Sequence, residues 1–303
     1  MEPTILRVPG ADGIQLNVLE WSREGVPLLL LHGFANEAHI WDEFVPHVAP
    51  HYRVLALDLR GHGDSDWHPD AAYEYDDYVA DLEALIDHLG LERVVLVAHS
   101  LGGRISMLYG GRHPERLAGL VIVDSAPELD ARGTTRISTD ISAHRDPSFA
   151  SRTDYEQMLV HNYPAAKPGA IRRMAQHELK QRDDGRFVFK MDVRFRGAVG
   201  AAAGGQDAQD AQDAKGGLDA EAILTHHARS RDAMWEALRK LECPTLVVRG
   251  AASDFLNAEI ADRMVDDELA KGQLAVVAQA GHSVMTDNPE AFAEAVGRFV
   301  LGE

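Results

Sequence analysis

Val94-Val95-Leu96-Val97-Ala98-His99-Ser100-Leu101-Gly102-Gly103 is an apolar run that stops abruptly on a serine set among small residues. The run reads as a buried strand, and the segment after it, through Met107 and Leu108, reads as a helix. A strand that turns sharply into a helix strains the residue at the corner and leaves its side chain exposed at the top of a sheet. The residues on both sides must then be small, as Ala98 and Gly102 are.

On either side of this stretch the same alternation repeats. Turn-rich Pro9-Gly10-Ala11-Asp12-Gly13 separates apolar segments at 4–8 and 13–21, which predicts an opening hairpin. Val26 to Leu31 is a continuous apolar run ending at His32-Gly33-Phe34; a helix is expected near Ile40 to Val48 and a strand at Arg53 to Leu57. Apolar residues at 78, 79, 82, 85, 86 and 89 mark one helix face, stopped by Gly90. Leu117 to Val123 is a further buried strand, ending at Asp124. The late chain predicts strands at 244–249 and 273–277, a helix near 257–269 and a closing helix from Pro289 to Leu301. Strands and helices alternating at such short spacing imply an α/β fold with a mostly parallel, doubly wound sheet.

Between Glu128 and Leu241 the alternation breaks into amphipathic helical pieces, such as 155–160 and 171–180. The expected organisation is a core of residues 1–127 and 242–303 with a helical cap inserted at 128–241. Within the cap, residues 197–220 are low in complexity, with Gln-Asp-Ala repeated from Gln206, and read as a mobile loop.

Ala98-His99-Ser100-Leu101-Gly102 fits the G-x-S-x-G nucleophile elbow with alanine in the first position, and here the chain resembles the α/β-hydrolase superfamily. The resemblance covers about Val26 to Pro127 and Glu242 to Leu301. It implies Ser100 as nucleophile in a Ser-His-Asp set. A serine hydroxyl needs a base in hydrogen-bond reach, itself oriented by an acid. His282, just past the last predicted strand, stands at the same sheet edge as Ser100 and is the expected base. Asp254, a few residues beyond the strand ending at Arg249, is the expected acid; Asp124 is the alternative, because it ends the strand after the elbow. His32-Gly33-Phe34 resembles the superfamily's oxyanion motif, which implies the amides of Phe34 and Leu101 as donors to a developing oxyanion. Trp41, beside that loop, is a possible pocket residue.

The implied activity is hydrolysis of a small carboxylic ester through an acyl-enzyme, without a cofactor. A lactonase, a carbon-carbon bond hydrolase or a perhydrolase would use the same three residues. An acyltransferase, or a binding protein with little turnover, is the alternative of another class. No P-loop or dinucleotide fingerprint occurs, and the alternating His62, Asp64, Asp66 and His68 depart from zinc-hydrolase spacing, so no metal is expected. The chain carries 30 basic and 48 acidic residues, a net charge of −18, which disfavours nucleic acid and anionic membranes as partners. Cys243 is the one cysteine, which excludes an intramolecular disulfide and fits a reducing compartment. No apolar run approaches the roughly 18 residues of a membrane span, so a soluble cytoplasmic protein is expected. Oligomeric state is not legible at this level.

Overall fold

The computed structural model describes residues 1–133, 135, 148–195 and 220–302, the side chains of 220–228 excepted. Thr4–Pro9 (β1) and Gln15–Glu20 (β2) form the antiparallel opening hairpin. Val26–Leu31 (β3), Tyr52–Leu57 (β4), Val94–His99 (β5) and Leu117–Val123 (β6) follow. Then come three short strands, Ser148–Phe149 (β7), Leu179–Gln181 (β8) and Phe187–Phe189 (β9), before Thr245–Gly250 (β10) and Gly272–Val277 (β11). The main sheet has eight strands in the order β1-β2-β4-β3-β5-β6-β10-β11, parallel from β4 onward.

Alternation along the strands divides the core. Leu29, Leu31, Leu96, Ala98, Leu120 and Ile122 face one apolar layer, while Leu28, Leu30, Val95, Val97, Val121 and Val123 face the other. Both faces are buried, which is why these strands read as unbroken apolar runs rather than as alternating ones. The helices include Val45–Val48 (α1), Tyr75–His88 (α2), Leu101–Arg112 (α3), Arg152–Asn162 (α4), Pro168–His177 (α5), Ala220–Lys240 (α6), Ala258–Arg263 (α7), Val284–Asp287 (α8) and Pro289–Leu301 (α9). The helix expected over 40–48 is split into a tight turn at Ala38–Trp41 and the short α1. Pro46 lacks the amide that a continuous helix would need.

The segment between β6 and β10 is not purely helical: β7, β9 and β8 form an antiparallel three-stranded sheet beside α4 and α5. At two or three residues each, these strands are too short to leave a periodic signal. The last turns of α6 return to the core, where Met234, Trp235 and Leu238 join the apolar layer beneath α3. The low-complexity stretch at 197–220 lies, but for its last residue, outside the described residues. Among the described residues no helix is long and apolar enough to cross a membrane.

Two buried ionisable groups tie these parts together. Arg60, in the loop after β4, is fully buried and donates from Nε and Nη2 to the Asp81 carboxylate of α2 at 2.6 and 2.8 Å. Asp81 also accepts from the Ala11 amide at 2.8 Å, joining hairpin, loop and helix. Glu178, at the end of α5, accepts from the Tyr155 hydroxyl of α4 and from Asn36 Nδ2 of the loop after β3, the latter at 3.3 Å. It thereby pins the cap to the core.

Asp81→Ala leaves the buried guanidinium of Arg60 with the Ala72 carbonyl at 3.0 Å and the more distant carboxylates of Asp12 and Asp77 at 3.4 and 3.9 Å, and should cost about 3 kcal/mol, read from the urea midpoint; a loss under about 1 kcal/mol would mean that those groups take over the cation. Burial pushes the Glu178 carboxyl up to about 7 from an ordinary value of 4.5. Across that window the folded protein keeps a proton that the unfolded chain releases, so this group makes stability fall as pH rises. Urea unfolding should therefore show a shallower decline for Glu178→Gln than for the native protein, by up to about 1.4 kcal/mol per pH unit. Parallel curves would count against a protonated Glu178.

Candidate active site

Ser100 occupies the corner between β5 and α3 with φ 50° and ψ −111°, a left-handed conformation rare for a residue with a side chain. Its amide donates to Val123 of β6 at 3.0 Å, and its carbonyl accepts from Ser125 Oγ at 2.7 Å. On the other side the Gly102 amide donates to the His32 carbonyl at 3.2 Å. A Cβ at Gly102 would lie 2.7 Å from the Leu31 carbonyl oxygen, so helix and loop approach this closely only with glycine there.

His282 stands in the loop between β11 and α8. Its Nε2 lies 3.0 Å from Ser100 Oγ and its Nδ1 2.9 Å from Asp124 Oδ2. With Nδ1–H donating to the carboxylate, Nε2 presents a lone pair to the hydroxyl. The imidazole is held from three directions. Its own carbonyl accepts from His99 Nε2 at 2.9 Å, and Phe255 stacks on it with centroids 3.9 Å apart at 18°. The preceding amide, of Gly281, donates to Asp287 at 2.8 Å. His99 is buried beside the sheet, and its pKa is lowered to about 3, mainly by burial and then by His282.

The acid on Nδ1 is Asp124, the alternative, where the position just beyond the strand ending at Arg249 had pointed to Asp254. β6 lies between the elbow strand β5 and β10, so the residue leaving β6 emerges directly beneath the loop that carries His282. Asp124 turns there with φ 45°, and its amide donates to Val248 at 2.7 Å. Its carboxylate accepts from the Gly250 amide at 3.0 Å and from Ser253 Oγ at 2.6 Å. Burial pushes the Asp124 carboxyl up to about 7, against the pull of these two donors. Asp254 instead contributes to the cavity wall. Its flanking residues serve the site: Ser253 donates to Asp124, and Phe255 covers His282.

The loop after β3 is set by His32. Its Nε2 accepts from the Leu59 amide at 3.0 Å, so Nδ1–H donates to the Gly33 carbonyl at 2.7 Å, and burial keeps the ring neutral with a pKa near 4. Phe34 lies on the wall of the cavity that contains Ser100. Leu101 opens α3, so its N–H is one of the first four that find no acceptor within the helix, at the positive end of its dipole. Trp41, expected as a pocket residue, lies in the core with 0% exposure, packed near Phe44 and Phe292 at 6.4 and 6.1 Å. The turn at Ala38–Trp41 directs it inward, away from the cavity.

The cavity holds about 690 Å³. The cap supplies Tyr155, Met158, Leu159, Phe189 and Met191 to its walls. None of these was singled out as a site residue from the chain, since each reads there as one more apolar position on an amphipathic segment. Among the described residues its lining contains no lysine or arginine, and its carboxylates are Asp254 and Asp287. The arrangement therefore joins a hydroxyl, an imidazole and a buried carboxylate in one line, opening on a largely apolar cavity.

Comparison with known proteins places the fold in a family. The chain is 27% identical to 2-(acetamidomethylene)succinate hydrolase of Mesorhizobium japonicum, over 95% of this chain and 92% of that one. It is 25% identical to an esterase of Mycobacterium tuberculosis, over 95% of this chain and 88% of the relative. The crystal structure of an alpha/beta hydrolase from Novosphingobium aromaticivorans superposes with a TM-score of 0.76 at 26% identity, covering 99% of this chain and 98% of the other. A sequence family described as the alpha/beta hydrolase fold matches residues 26–289. Its relatives being hydrolases and esterases, and its own sheet, elbow and connections following that plan, the chain belongs to the alpha/beta hydrolase fold family.

Proposed function

We propose that this protein is a serine hydrolase that cleaves a carboxylic ester whose acyl part is uncharged and largely apolar. The observation that carries the reading is the line of contacts from Ser100 Oγ to His282 Nε2 at 3.0 Å, and from His282 Nδ1 to Asp124 at 2.9 Å. Ser100 Oγ attacks the acyl carbon while its proton passes to His282 Nε2. The tetrahedral oxyanion is met by the amides of Phe34 and Leu101, such donors being worth roughly 3–4 kcal/mol each. Collapse breaks the bond to the alkoxy oxygen, which leaves as an alcohol with the proton from His282. A water then gives a proton to the same nitrogen and its oxygen to the acyl carbon, releasing the acid and restoring Ser100.

Asp124 stabilises the imidazolium that forms midway. A carboxylate as buried as this one is poorly compensated while its partner is neutral and gains most when the ring becomes cationic. The neutral acyl preference rests on the cavity lining. A dianionic substrate such as the succinate named for one relative calls for fixed cations, and the described lining offers no lysine or arginine: beside its apolar and aromatic groups it has neutral donors such as Asn36, Asn162 and Gln279, the imidazole of His161, and two carboxylates.

The test is stopped-flow release of nitrophenol from short-chain nitrophenyl esters. A burst followed by steady turnover is expected, and Ser100→Ala should lower turnover by roughly 10⁵ to 10⁶. Undiminished turnover in that variant would exclude Ser100 as nucleophile. Asp124→Asn should cost about 10⁴, whereas Asp254→Asn should cost less than about tenfold; the reverse order would return the acid's role to Asp254. Turnover should also fall as pH drops through about 7, as Asp124 takes up a proton and the Asp124–His282 pair loses the charge that supports the imidazolium. A rate level down to pH 5 would be incompatible with that pair acting as base.

A further inference from the structure

Outside the cavity that holds Ser100, the loop after β3 meets the end of α5 in a second cluster of ligating side chains. Glu37, His39 and His177 each offer one ligand atom, and the three atoms lie within 4.8 Å of one another. Glu37 is buried at 4% exposure, while the two imidazoles are half-buried and open to solvent. The rings of His39 and His177 are stacked, with centroids 3.7 Å apart and planes at 28°.

The surroundings supply what a ligating imidazole needs. Asp42 places a carboxylate oxygen 3.1 Å from His39 Nδ1, which fixes that nitrogen as the donor and leaves Nε2 with its lone pair. Two cations whose charge acts on His177 are already matched: Arg173 pairs with Glu43 at 2.8 Å and Lys190 with Asp64 at 2.6 Å. Two imidazoles and one carboxylate form a borderline-soft donor set suited to zinc or a neighbouring divalent transition metal, with a water completing the tetrahedron.

We propose that Glu37, His39 and His177 bind one divalent transition-metal ion, zinc fitting best, and that the ion clasps the cap onto the core. His177 belongs to the cap helix α5, while Glu37 and His39 belong to the core loop that begins at His32. Asn36, adjacent to Glu37, lines the cavity and also bonds Glu178 of the cap, so the ion would fasten a junction that the protein already makes.

The experiment is calorimetric titration of metal-free protein with zinc chloride, with Tm followed in parallel. It is run in a His282→Ala background so that the imidazole beside Ser100 cannot contribute. One equivalent should bind and Tm should rise by a few degrees, since the ligand favours the folded state. His39→Ala and His177→Gln should each remove that equivalent and the rise in Tm, and Asp42→Asn should weaken binding tenfold to a hundredfold. His177 stands half-exposed at a helix end, so its variant remains informative where a change at His39 disturbs the turn, and near-ultraviolet circular dichroism verifies folding. Absence of binding to the parent, or a full equivalent retained by folded His177→Gln, would overturn the proposal.

Discussion

The structure depends on one strained corner. Ser100 sits at positive φ, a conformation that costs on the order of 1–3 kcal/mol for a residue with a side chain. The strain is sustained because β5 is flanked on both sides, by β3 and β6, and is buried along its whole length, so the strand cannot relax without breaking two ladders. Gly102 lets the start of α3 press against the carbonyls of Leu31 and His32, which brings the loop after β3 to Ser100. The corner thus places the hydroxyl and both oxyanion donors proposed for it in one act of folding.

A second constraint is electrostatic. His32 and His99 lie around the corner, each buried and each held neutral by that burial. Because neither is cationic, they fix backbone, His32 through both ring nitrogens and His99 through Nε2, without competing with His282 for the charge of Asp124. The carboxylate itself is the costly component, with its pKa raised by burial and, among the described residues, two donors, Gly250 and Ser253, besides the imidazole. Its charge is therefore best spent on His282.

The cap is joined to this core through polar groups rather than through apolar packing alone. Glu178 receives hydrogen bonds from a cap tyrosine and a core asparagine, and His177 stacks on His39 one residue earlier in the same helix end. Cap placement and the loop that carries Phe34 are thereby linked within a few residues, 34–39 on one side and 177–178 on the other.

The sequence by itself determined the sheet, the elbow and the positions of Ser100 and His282, because buried parallel strands appear as unbroken apolar runs and the turns between them carry small residues. It likewise foretold α2, whose buried face is made by Tyr78, Val79, Leu82, Leu85 and Ile86 and whose end is turned by Gly90 at φ 63°. What only the tertiary structure decided were matters of lateral strand order and of facing surfaces. Asp124 and Asp254 both follow strands and both precede His282, and only the placement of β6 between β5 and β10 sets Asp124 beneath the imidazole. Trp41 has the same composition cues whether it faces cavity or core, and a single turn before Pro46 sends it inward. The cap's contribution to the cavity, and the meeting of Glu37 and His39 with His177, join residues well over a hundred positions apart. Local periodicity carries no record of such meetings, since they arise from which surfaces pack together after the elements have formed.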